Sequence, residues 1–318
     1  MSSNPFSADP AIPERLAALG EHARQSVQAA IQDYLQKAHF DAAENDGGVL
    51  PNALAEELIV RFGLSSIREL MLLLLDVAQQ YAAPAISDFH VGAVGLEAET
   101  GNLILGGNVE FPGTHLGYTL HGEGFVFTRA MSRGTNISVI AIGEAHPCAH
   151  CRQCLAEYAA SDGLELIDPL GHTLTMAQLY PWPFDPAYLG ERGAVPGRAL
   201  WPNLTPAGDQ DKVPAPLLRA GALSHSPYSK CPAAVVLTMR DGAQYAGFAI
   251  ESVAFNPTIQ PLQMAMVNLL AHGQSAHDIV SVDLGTVSGG DVDYSRSTQE
   301  LLGAIAPSAA LRIYGWSI

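Results

Sequence analysis

Apolar residues recur at threes and fours through the opening of the chain, at Leu16, Leu19, Ala23, Val27, Ile31 and Leu35. That spacing predicts a helix over 11–38. Asn45-Asp46-Gly47-Gly48 breaks the pattern. Two more helices are expected over Asn52–Phe62 and Ile67–Ala82, with Ser66 and Glu69 as a capping box before the second. Residues 1–84 therefore read as a small helical N-terminal domain that serves packing or dimerisation.

From Phe89 the texture changes. Strands are expected at His90–Glu97 and Leu103–Leu105 around the turn Glu99-Thr100-Gly101-Asn102. A helix over Leu120–Met131, a strand at Ile137–Ile142, a helix after Cys148 and a strand near Leu164–Ile167 follow. The order β-β-α-β-α-β over 85–168 predicts a three-layer α/β/α sandwich. Residues 169–225 are rich in Pro and Gly and read as an extended linker.

The pattern then returns over 226–318. Strands are expected at Ala233–Met239, Gln244–Phe248, Ile279–Asp283 and Leu311–Tyr314, with Asp241-Gly242 at the first turn and helices over Pro261–Ala271 and Thr298–Ile305. Gly101 falls opposite Gly242 and Glu110 opposite Glu251 at one offset. Carried forward, it sets Leu262-Gln263-Met264 against His121-Gly122-Glu123. The fold class is thus α/β, a sandwich duplicated behind a helical domain, with no metal ligand or general acid surviving in the second copy.

Composition narrows the partners. The 318 residues exceed one average domain, and 48% apolar with 15% charged residues is an ordinary folded composition. A net charge of −16, with 16 Lys and Arg and no cluster of them, disfavours nucleic acid and favours an uncharged small molecule. Cys148, Cys151 and Cys154 sit close together and Cys231 apart, which suits a metal site or helix face in a reducing cytoplasm and not a disulfide framework. Met1–Pro10 carries no basic start before an apolar run, and the run Leu70–Leu75 stops at Asp76. Neither a secretory signal nor a membrane span is expected.

The candidate chemistry lies in His121-Gly122-Glu123 and Pro147-Cys148-Ala149-His150-Cys151. One imidazole and two thiolates fill three corners of a tetrahedral zinc site and leave the fourth open. Glu123 stands close to the metal without being needed as a ligand. Separately, His121 would be an ordinary helix-start histidine, and the cysteines a structural half-site or buried thiols. Together they match His-x-Glu followed by Pro-Cys-x-x-Cys, the signature of zinc deaminases of nucleobases. Cys154 reads as a small buried residue, His150 as a solvent-facing or supporting group, and His90 as structural. Asn108 and Glu110 are equally readable as the end of a strand and the cap of the next segment.

With these residues placed, the chain resembles the dimeric two-domain cytidine deaminases of bacteria and plants over nearly its whole length. The likeness is carried by Phe89-His-Val-Gly-Ala93, Asn108-Val-Glu110-Phe111, His121-Gly-Glu123, Pro147-Cys-Ala-His-Cys-Arg-Gln153 and Phe255-Asn-Pro-Thr258. It implies zinc-dependent hydrolysis of cytidine and deoxycytidine in pyrimidine salvage, with one Zn2+ per chain. Glu123 would shuttle the protons, Asn108 and Glu110 hold the ribose 3′-hydroxyl, Phe89 pack on the pyrimidine, and the Gly122 N–H meet the pyrimidine O2. Phe184, in Tyr180-Pro-Trp-Pro-Phe184, looks like a second aromatic near the base. Arg152 would support the thiolates by pairing with a sulfur. The resemblance also implies a homodimer in which the C-terminal domain, through Phe255, closes the partner's pocket.

Three departures stand out: Gly122 where the family usually has alanine, His146 where threonine is common, and Gly124-Phe125-Val126 where polar residues usually follow. Two other readings share these residues. One is a nucleic-acid-editing deaminase, which the acidic charge and a carboxylate near the 3′ position oppose. The other is a zinc-containing nucleoside-binding protein with impaired catalysis.

Overall fold

The computed structural model describes residues 6–40, 46–143, 146–207 and 213–318. The first helical stretch is two helices, α1 (Ala11–Ala18) and α2 (Gly20–Phe40). Gly20, at φ +70°, interrupts the single helix expected over 11–38, because a left-handed backbone cannot continue a right-handed turn. A two-residue strand, β1 (Val49–Leu50), was too short to leave a periodic signal. Helix α3 (Asn52–Phe62) ends on Gly63 in the left-handed conformation. The helix expected over 67–82 is segmented into α4 (Ile67–Leu73), α5 (Leu75–Ala78) and a final 3-10 turn. Its capping box does not form. Ser66 makes no side-chain cap, and Glu69 instead accepts the Ser65 N–H at 2.7 Å and pairs with Arg15 of α1.

Strands β2 (Gly92–Glu97) and β3 (Leu103–Gly107) form the first hairpin, with Gly101 at φ +72° in its turn. Helix α6 (Gly122–Arg133), β4 (Ile137–Ile142), α7 (Ala149–Ala156) and β5 (Glu165–Ile167) follow as expected within a residue or two. A further strand, β6 (Thr173–Thr175), completes a six-stranded sheet ordered β1-β3-β2-β4-β5-β6. Only β4 and β5 are parallel, since α7 carries the chain back between them. Alternate residues leave the sheet for opposite cores. Ala93, Ile104 and Ile140 pack with Phe125 and Val126 of α6, whereas Val94, Leu105 and Ala141 pack with Leu70, Leu74 and Ile31. The opening helices are therefore the outer layer of the sandwich that carries the site.

The stretch 169–225 holds more than connecting chain. Besides β6 it contains α8 (Met176–Leu179), β7 (Thr205–Pro206) and α9 (Ala215–Ala222). The second sheet adds β8 (Ala234–Met239), β9 (Gln244–Phe248), β10 (Ile279–Val287) and β11 (Ala310–Ser317) in the order β7-β11-β10-β8-β9. Helix α10 (Pro261–Ala271) packs on β9 and on α6, and α11 (Ser295–Ile305) precedes β11. One continuous core runs from Phe125 to Leu262 and joins the two copies.

Backbone detail repeats with the fold. Glu110 accepts the N–H groups of Ile86 and Ser87, and Glu251 accepts those of Tyr228 and Ser229. Asp88 and Lys230, both non-glycine, sit at φ +55° and +56° in the matching turns. Val109 bridges Leu120, whereas Ile250 bridges Ile259, so the second copy's loop is two residues shorter. Consequently Gln260-Pro261-Leu262, and not Leu262-Gln263-Met264, stands opposite His121-Gly122-Glu123. Again no metal donor or general acid occupies the equivalent positions.

Candidate active site

Two helix N-termini converge here. His121 is the N-cap of α6, held extended by the Val109–Leu120 bridge before it. Cys148 is the N-cap of α7, and its sulfur accepts the Cys151 N–H at 3.5 Å. Negative charge is favoured at such ends, because unpaired N–H groups and the helix dipole point at it. His121 Nδ1 lies 3.6 Å from Cys148 Sγ and 3.4 Å from Cys151 Sγ, and the sulfurs are 3.6 Å apart.

These edges fit zinc. With zinc–sulfur near 2.3 Å and zinc–nitrogen near 2.0 Å, tetrahedral neighbours lie about 3.5–3.8 Å apart. The donor types are also those zinc prefers. His121, Cys148 and Cys151 would hold the ion. Hydrogen bonding from Cys151 pulls exposed Cys148 down to about 4, and the same contact, with burial, pushes Cys151 up. Burial pushes the Cys154 thiol up to about 12, as suits a core residue.

Glu123, in the first turn of α6, is buried at 5% exposure. Burial raises its carboxyl above the usual range, while its own backbone N–H and nearby His121 oppose the rise. Gly122 leaves little room beside it: a Cβ there would meet Ala93 Cβ at 3.0 Å. Alanine would crowd the β2 strand, so glycine suits this packing.

Asn108 and Glu110 organise the loop that carries Phe89. The Asn108 side chain accepts the Val91 N–H at 2.9 Å and donates to the Phe89 carbonyl at 2.8 Å. Glu110 also accepts the Ser87 hydroxyl at 2.6 Å. Burial pushes the Glu110 carboxyl up, but these hydrogen bonds outweigh it and hold it below the ordinary range. Phe89 itself is 64% exposed.

Arg152 does not pair with a sulfur. Its Nε donates to the Pro147 carbonyl and its Nη1 to the Leu179 carbonyl, both at 2.7 Å, so it braces the backbone that presents Cys148. Its neighbour Gln153, to which the sequence assigned no role, clips Phe184 to α7. The amide accepts the Phe184 N–H at 3.1 Å and donates to the Phe184 carbonyl at 2.7 Å. Only its position beside Arg152 in the cysteine motif hinted at this.

A cavity of about 180 Å³ borders the three donors, lined also by Gly124, Leu116, Pro257 and Thr258. Phe89, Phe184 and Phe255 do not line it. Phe255, at φ +61° and 61% exposed, stands beside Tyr228 in the second copy. The second copy nevertheless reaches the site within one chain, where His150 Nε2 lies 3.4 Å from the Asn256 carbonyl.

Two stretches, 64–162 and 202–299, match two family models, each described as cytidine and deoxycytidylate deaminase zinc-binding region. The cytidine deaminase of Vibrio cholerae serotype O1 (strain M66-2) is 32% identical over 292 residues, spanning 92% of this chain and 97% of its own. That of Shewanella amazonensis is 32% identical over 277 residues, 81% of this chain and 92% of its own. The crystal structure of cytidine deaminase from Mycobacterium leprae overlays 32% of this chain and 86% of its own, at 22% identity and a TM-score of 0.27. A duplicated α/β/α sandwich with one His-Cys-Cys centre beside a buried glutamate is a zinc-dependent deaminase. The chain belongs to the cytidine deaminase family.

Within 202–299 the described residues bring together no His, Cys, Asp or Glu set able to hold a metal. The second copy keeps the fold and not the centre. Among the described residues no helix is long and apolar enough to cross a membrane.

Proposed function

We propose that the chain hydrolyses cytidine and deoxycytidine to uridine and deoxyuridine, releasing ammonia, in cytoplasmic pyrimidine salvage. The observation that carries this reading is a buried carboxyl, Glu123, beside three zinc-type donors at tetrahedral spacing. When bound, at one ion per chain in this centre, zinc supplies Lewis acidity that brings water's pKa towards neutrality. Glu123 takes a proton from the attacking water and hands it to ring N3, which makes C4 electrophilic. The hydroxide adds to C4. Glu123 then passes the added hydroxyl's proton to the amino group, and the C4–N bond breaks with its electron pair leaving on ammonia. A carboxyl raised by burial suits both halves of that exchange.

Asn108 and Glu110 are assigned to the ribose 3′-hydroxyl, with Glu110 an ionised acceptor at the edge of the site. The same two side chains orient the loop of Phe89, which is assigned to the pyrimidine face, as the Gly122 N–H is to O2. Phe184 is assigned a place near the base. The chain is assigned to a homodimer, to whose contact the exposed Phe89, Leu116 (72% exposed), Trp182 (85%) and Phe255 are available. In that assembly Phe255 of each subunit closes the other's pocket. Four free thiols are consistent with a reducing compartment.

Cytidine, deoxycytidine and a cytosine-containing single-stranded oligonucleotide should be compared by absorbance loss and ammonia release. Both nucleosides should turn over, and the oligonucleotide should not, because a 3′-phosphate would meet the Glu110 carboxylate. Comparable turnover of the oligonucleotide would transfer the assignment to nucleic-acid editing.

A further inference from the structure

His146, Asp168 and His172 form a second convergence of metal-binding atoms, outside the cysteine centre. His146 Nε2 and His172 Nδ1 lie 2.8 and 2.7 Å from one oxygen, Asp168 Oδ2. The other oxygen, Oδ1, accepts the N–H groups of Leu170 and His172, each at 3.0 Å. The carboxylate is therefore oriented by the backbone, with Oδ2 turned to both imidazoles. Such fixing of a ligand by surrounding hydrogen bonds is typical of metal sites.

The frame is rigid. Asp168 directly follows β5 and His172 directly precedes β6, and the turn between them is closed by the Asp168 N–H on the His172 carbonyl at 3.3 Å. Gly171, at φ +94°, allows that turn. Asp168 is 1% and His172 4% exposed, whereas the His146 side chain is 29% exposed and leaves an approach from solvent. No Lys or Arg pairs with Asp168 among the described residues, whose only ion-pair partners there are the two histidines.

We propose that His146, Asp168 and His172 bind a second divalent first-row cation, of the zinc, cobalt or nickel class, which ties the β5–β6 turn to the loop carrying Cys148. Two imidazoles and one carboxylate are a donor set that such ions take. All three donor atoms lie within 4.8 Å of one another. Donors on one such ion stand about 3–4 Å apart, from metal–ligand distances near 2.0–2.1 Å. The two nitrogen–oxygen contacts need to open only by a few tenths of an ångström. The role is structural. Pro147 separates His146 from Cys148, so an ion there restrains the presentation of the catalytic sulfur without facing substrate.

Cobalt distinguishes the two sites. The full-length protein, stripped of metal, should take up two equivalents of Co2+. One should give intense near-ultraviolet sulfur-to-metal absorption, and the other only weak visible bands. The double variant Cys148→Ser, Cys151→Ser should lose the sulfur absorption and keep the second equivalent. His146→Ala and Asp168→Asn should each lose the second equivalent and keep the sulfur absorption. A single equivalent in the unmodified protein would overturn the proposal, as would a second equivalent that survives in His146→Ala. Because His146 is the most exposed of the three, its variant decides the matter even should Asp168→Asn fail to fold.

Discussion

Replacing Glu123 by glutamine is expected to leave the metal in place and to reduce cytidine turnover by about 10²–10⁴-fold or more, the range carried by a positioned acid–base group. The side chain is not one of the three donors, so metal content should match that of the parent protein. Glutamine keeps the shape and burial of the site while removing the carboxyl to which both proton transfers are assigned. Because the missing interaction acts in the transition state, kcat should fall with little change in KM. Absorbance loss with cytidine, beside metal analysis of the same preparation, reads both quantities. Full activity in this variant would require another proton carrier within reach of C4.

The second large effect is on stability, and it falls on Glu157, just past the last turn of α7. Its carboxylate is 1% exposed. It takes His225 Nε2 at the end of the connecting stretch, and the Tyr228 hydroxyl and Val253 N–H of the second copy, each at 2.7 Å. One buried carboxylate thus fastens the cysteine helix to the degenerate half. Burial, then the bond to Glu157, pushes the Tyr228 hydroxyl up, so it remains a donor across the working range. Alanine would leave those donors buried without a partner, which costs about 1–3 kcal/mol for each. Against a typical total of about 5–15 kcal/mol, that is a large share. Denaturant unfolding should show the midpoint falling sharply for Glu157→Ala and less for Glu157→Gln, which keeps an acceptor oxygen. An unchanged midpoint for alanine would mean that the two halves do not depend on this contact.

The metal centre was legible because its donors are local: His121 heads one helix, and Cys148 and Cys151 share one turn of another. The strands were legible as short apolar runs bounded by turn residues: 92–97 and 137–142 are buried on both faces almost throughout, and alternate side chains enter opposite cores. The break at Leu19–Gly20 was hidden because Leu16, Leu19 and Ala23 keep helical spacing across it. The loop that is two residues shorter in the second copy could not be seen from glycine and glutamate landmarks lying before it. Gln153 was missed because its partners, Tyr180 and Phe184, approach only after the chain turns through α8. The sulfur pairing expected of Arg152 lost to two backbone carbonyls, which offer its guanidinium fixed acceptors at 2.7 Å.

The most direct test of the centre is reversible metal removal. Protein stripped with a strong chelator should release no ammonia from cytidine, and added zinc should restore release in the parent chain and not in Cys151→Ser. Sustained turnover by the stripped protein, or none from the zinc-loaded parent, would contradict the assignment of His121, Cys148, Cys151 and Glu123.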